Sequence, residues 1–62
     1  VDPNANLAEQ LRLARGIQAC ADDGAPIDVD DATRLAELVL ALDEWLRNGG
    51  FRPAAWGVTR GK

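Results

Sequence analysis

Cys20 is the sole thiol of this chain, five aspartates gather at Asp22, Asp23, Asp28, Asp30 and Asp31, and three cations stand near the carboxyl end at Arg52, Arg60 and Lys62. Each group invites a chemical use, and each meets a simpler explanation. A cysteine nucleophile needs a neighbouring base or cation to hold it as thiolate. The chain has no histidine, serine or tyrosine, so the nucleophile and base pairs of acyl transfer cannot be assembled. Cys20 falls on the apolar side of a helical pattern and reads as a small core residue. The aspartates could hold a hard cation, but their spacing does not match a twelve-residue calcium loop, and Pro26 and Ile27 between them bring no side-chain oxygen. Helix capping accounts for most of them. The expectation is a non-enzymatic protein with no catalytic, cofactor-binding or metal-ligating residue and no cofactor.

Two helices joined by a turn also suggest a helix-turn-helix, in which the amino end of the second helix approaches DNA. Here that end carries Asp28, Asp30 and Asp31, which would face phosphates. A net charge of -3 and a pI near 4.6 lack the electrostatic footprint of a nucleic-acid surface, so nucleic acid is disfavoured as a partner. Every apolar stretch is broken by Asp, Glu or Arg before the roughly 18 residues that a membrane helix needs. The amino end carries no signal-peptide pattern, and a single cysteine suits a reducing cytoplasm.

The elements that must carry these residues follow from caps and periodicity. Val1 to Ala5 reads as a short flexible arm. Asn6, with Glu9 three residues later, predicts a helix start near Asn6. Leu7, Leu11, Ala14, Ile17 and Ala21 share its apolar face, widened by Leu13 and Cys20, and Gly24 ends it near Asp22. Asp28 caps a second helix, with Asp30 and Asp31 in its first turn and Ile27 before the cap packing on Ala32. Asn48, Gly49 and Gly50 stop this helix after Arg47. A connection this short predicts an antiparallel helical hairpin. Pro53 then opens a short third turn, through which Phe51 and Trp56 fold back over the second helix. Gly57 to Lys62 reads as a disordered basic tail.

The second helix carries the strongest signal. At about 100° per residue, Trp45, Leu38, Leu42, Leu35, Leu46, Val39, Ala32 and Ala36 form a band over more than half its circumference, interrupted only by Asp31 and Asp43. A surface helix facing one neighbour needs an apolar stripe of about 100° or somewhat more. A chain of 62 residues also builds a small core, and without a disulfide or metal the remaining support is oligomerisation. The fold expected is therefore all-α, two hairpins pairing as a four-helix-bundle homodimer through Leu35, Leu38, Val39, Leu42, Trp45 and Leu46. Leu40 at the edge of the band, with Glu37, Glu44 and Arg47 beside it, is left to contact a different protein.

The run Leu38-Val39-Leu40-Ala41-Leu42-Asp43-Glu44-Trp45-Leu46, followed by Gly49-Gly50-Phe51, Pro53, Ala55 and Trp56, resembles a pattern in small helical proteins of actinobacteriophages, the phages of mycobacteria and their relatives. The likeness covers roughly residues 30 to 56. Rich use of Ala, Arg, Asp and Gly, with Lys62 the only lysine, fits a GC-rich genome. Such proteins are mostly of unknown function, so the resemblance implies a phage origin and helical form and transfers no catalytic residue. The function expected is a phage-encoded interaction module that binds a host or phage protein in the cytoplasm of the bacterial host. The alternatives are a dimeric DNA-associated regulator, with Arg52, Arg60 and Lys62 as its contact, and a virion or assembly component.

Overall fold

The computed structural model describes residues 2–57. They form three helices: α1 over Pro3–Asp22, α2 over Val29–Arg47 and the short α3 over Ala54–Gly57. The two long helices pack against each other as an antiparallel hairpin, with Asn6 opposite Leu38 and Glu9 opposite Arg34. Of the tail expected over Gly57 to Lys62, Gly57 closes α3 and the rest lies outside the described residues.

α1 starts three residues earlier than its expected cap at Asn6. The cap is Asp2, whose carboxylate accepts from the amides of Asn4 at 3.0 Å and Ala5 at 3.2 Å. Pro3 follows at the first helical position, where its fixed φ suits the helix and its missing N–H costs nothing. Pro3 to Ala5, read from the sequence as part of an arm, form the first turn. Asn6 is freed for a different task inside the helix.

Both long helices end alike. At α1 the amide of Gly24 donates to Ala21 O and that of Ala25 to Cys20 O; at α2 Gly49 donates to Leu46 O and Gly50 to Trp45 O. These are the paired bonds of a Schellman motif, which needs a left-handed residue at its corner, and Gly24 (φ 70°) and Gly49 (φ 89°) supply it. The α2 start is as local chemistry dictates, with the Asp28 carboxylate accepting from Asp30 N at 2.8 Å.

The buried apolar side chains among the described residues are Leu7, Leu13, Leu38 and Leu42, together with Pro3 and Pro53. On α1 the buried line runs Pro3, Asn6, Leu7 and Leu13, continued by half-buried Gln10, Ile17 and Cys20. This corrects the face expected through Leu11, Ala14 and Ala21: Leu11 is 41% exposed, and both alanines are exposed. The true face passes through two polar residues, so an apolar count alone steers away from it.

The third element is anchored differently from expectation. Pro53 is fully buried, whereas Trp56 keeps 48% of its surface exposed. Phe51 meets α2 by setting its ring edge-on to Trp45, with centroids 5.5 Å apart and planes at 87°. The Trp45 indole N–H donates to Phe51 O at 2.9 Å. A methyl group on Gly50 would overlap that indole, so the chain can turn here only past a residue without a side chain. Asn4 of α1 then caps α3, accepting from Ala54 N at 2.6 Å.

This assignment of faces separates two leucines in one helix. Leu13→Ala should cost about 2–5 kcal/mol as a buried truncation, and Leu11→Ala much less. Urea denaturation of both variants measures the difference, and equal costs would contradict the packing described.

Candidate interaction surfaces

At about 100° per residue, the hairpin presents three surfaces outside its core. One flank is polar and holds an open cleft of about 400 Å³ between the cap residue Asp2 with Asn6 and Glu9 of α1 and Arg34, Glu37 and Ala41 of α2. The opposite flank carries Leu11 and Ala14 of α1 beside Leu35 and Val39 of α2. The third surface is the outer face of α2, turned away from α1.

The floor of the cleft is set by Asn6, only 6% exposed. Its amide donates from Nδ2 to Leu38 O at 3.0 Å, and its Oδ1 accepts from Gln10 Nε2 at 2.6 Å. Gln10 Nε2 also lies 3.5 Å from Leu38 O. Every polar atom is partnered, as burial demands. Above this floor the Arg34 guanidinium grips Glu9 with Nε at 3.1 Å from Oε2 and Nη2 at 3.2 Å from Oε1. Arg12 stands 3.6 Å from the same carboxylate, and Arg34 Nη1 reaches Glu37 at 3.7 Å.

The hydrogen bond from Arg34 is the main reason the Glu9 carboxyl is held below its usual range, with the charges of Arg34 and Arg12 adding to it against partial desolvation. The same pairing raises Arg34. A carboxylate stabilised in its charged form is a poor proton acceptor near neutral pH. The cleft therefore offers fixed charges and a buried amide, an arrangement suited to recognition and to holding the helices in register.

The structure divides the residues expected to self-associate. Leu38 and Leu42 are buried within a single chain, at 6% and 3% exposure. Leu35, Trp45 and Leu46 are half-buried, and Val39 is exposed. Trp45 is committed to Gly50 and Phe51. The residues expected to meet a different protein all lie in the open: Leu40 is 68% exposed, and Glu37, Glu44 and Arg47 are exposed as well.

Cys20 is half-buried, and among the described residues no three His, Cys, Asp or Glu side chains are grouped to hold a metal ion. No described helix is long and apolar enough to cross a membrane. Arg52 is exposed, while Arg60 and Lys62 fall outside the described residues. Sequence reasoning missed Asn6 as a bridge, Asn4 as a cap for α3, and the Glu9–Arg34 pair. The available signal was the i, i+4 spacing of Asn6 and Gln10 on the line of Leu7 and Leu13. Compared with known proteins, the chain matches no family model, no curated protein and no solved structure.

Two pH-dependent outcomes follow. Asn6→Asp puts a carboxylate against Leu38 O, where burial raises its pKa, so the variant should be far less stable than the parent at pH 7 and recover part of the loss as acid protonates it. Thermal melts from pH 7 to pH 4 test this, and a pH-independent gap would contradict it. Glu9 has the opposite sign. Its lowered folded-state pKa adds stability above the ordinary glutamate range, lost as pH falls through the folded value. The gap between parent and Glu9→Gln should therefore close in acid.

Proposed function

We propose that this chain is a small non-enzymatic, phage-encoded interaction module that works inside the bacterial host cell by occupying the surface of a host or phage protein. The observation that carries the reading is Leu40. It is 68% exposed on the outer face of α2, with Val29 at 74% on the same face, while few apolar side chains are buried in the core. A chain with so little apolar side chain to spare leaves a leucine in water at a cost in solubility, and exposed apolar side chains gathered on one helix face support an interaction site there. The phage origin rests on the resemblance of residues 30 to 56. The non-enzymatic part rests on composition, since the chain contains no histidine, serine or tyrosine, and on the ion-paired state of Glu9.

Self-association belongs to the same reading, through a smaller surface than the sequence suggested. Below about 70–80 residues a single core rarely supplies more than about 3–5 kcal/mol. A second hairpin laid on the flank of Leu11, Leu35 and Val39 would enlarge that core into a four-helix bundle and leave the outer face of α2 free.

Light scattering at micromolar concentration tests the dimer, with an expected mass close to twice 6.6 kDa. A concentration-independent monomer mass overturns it. For the interaction itself, Leu40→Glu should keep the melting temperature of the parent and abolish capture of a protein from host lysate. Capture that survives the change, or retention of duplex DNA in place of protein, overturns the reading in favour of a DNA-associated regulator.

A further inference from the structure

We infer that the outer face of α2 is a docking seam for one amphipathic helix with basic edges, supplied by a different protein. This rests on the interaction reading above and names the chemistry of the partner. Positions 29, 33, 36 and 40 are separated by steps of four, three and four, the spacing of a coiled-coil seam. They hold Val29, Thr33, Ala36 and Leu40, all exposed. Small residues at the middle of the seam let a second helix approach closely, and the larger Val29 and Leu40 bracket them. From Val29 to Leu40 the seam is about 17 Å long at about 1.5 Å per residue, enough for three turns of a partner.

The edge of the seam defines that partner. Asp30, Glu37 and Glu44 stand seven residues apart along one side, and all three are exposed. Of the cations of α2, Arg34 grips Glu9 and reaches Glu37 with Nη1 at 3.7 Å, and Arg47 Nε donates to Asp43 at 2.7 Å. The edge is thus a row of carboxylates beside an apolar stripe, complementary to a helix carrying Lys or Arg at heptad spacing beside its own apolar stripe. A second copy of α2 is a poor occupant. In an antiparallel pair like edges meet, so the row would face its own image, and like charges placed together select against that partner. Self-association through the opposite flank leaves the seam uncovered.

Two synthetic peptides of about 21 residues, three heptads, test the inference with the full chain. They share one Leu/Ala seam and carry Lys or Glu at both edges. The Lys-edged peptide should bind about tenfold or more tighter at low salt, a difference of about 1.4 kcal/mol, and should lose affinity as salt rises. Amide shifts should centre on Val29, Thr33 and Leu40. The double variant Glu37→Lys, Glu44→Lys, at solvent-exposed positions and checked by its melting temperature, should reverse the preference.

Equal affinity for the two peptides, binding of neither, or shifts centred on the Glu9–Arg34 cleft overturns the inference. So do concentration-dependent shifts at the seam without peptide, which would make a second copy the occupant. If neither peptide binds but Leu40→Glu still abolishes capture from lysate, the basic-helix partner is wrong and the interaction reading stands. If capture is indifferent to Leu40, the interaction reading itself fails.

Discussion

A side chain as buried as Asn6 must find hydrogen-bond partners or force the helices apart, because an unpaired buried amide costs about 1–3 kcal/mol. Its partners here are Leu38 O and Gln10. Slide α1 along α2 by a turn and Asn6 Nδ2 loses Leu38 O, while the Glu9 carboxylate leaves the Arg34 fork. Four buried leucines tolerate several offsets, since apolar contact has little direction. The amide does not. A polar residue of this kind trades some stability for a single arrangement, the role best attested for buried asparagine in coiled coils.

The same constraint gives the hairpin two unlike sides. Asn6 and Gln10 draw the polar residues of α1 toward one flank, where Glu9, Arg34 and Glu37 gather. The one leucine of α1 left outside the core, Leu11, falls toward the other and is 41% exposed. On α2 the apolar band is too wide for one neighbour. α1 takes Leu38 and Leu42, the returning carboxyl segment takes Trp45 through Phe51 O, and Val39, Leu40 and Val29 remain outside. Exposure of these three follows from a band broader than the elements available in one chain to cover it.

What could be read from the sequence was the chemistry that is local. Asp28 as a cap, Gly24 and Gly49 as left-handed corners, and the limits of α2 all depend on residues within one turn of each other, and the structure has them. The start of α1 was equally local, but the Asp2-Pro3 signal was absorbed into an arm because Asn6 and Glu9 offered a second cap nearby. The buried face of α1 was hidden for another reason. Its line crosses Asn6 and Gln10, and a polar residue counts against burial unless its partner is known. That partner, a backbone carbonyl of α2, has no sequence signature. Leu40, Glu37, Glu44 and Arg47 were legible as outward-facing because their positions on α2 oppose Leu38 and Leu42. The burial of those two leucines within one chain was not, because it required knowing how far α1 alone covers the band.

The bond from Ala54 N to Asn4 Oδ1 joins residues fifty apart in sequence, and in an extended chain closing so long a loop would carry a large entropy cost. Once α1 and α2 are docked, the free segment shrinks to the six residues between Arg47 and Ala54, and closure becomes inexpensive. The order of assembly is thereby implied: hairpin first, carboxyl segment second. The unit that forms last is also the one that opens first, so amides of α3 should exchange with solvent independently of those at Leu38 and Leu42. The carboxyl segment is thus held by contacts of its own, Asn4 to Ala54 N and Trp45 to Phe51 O, separate from the leucines that join α1 to α2.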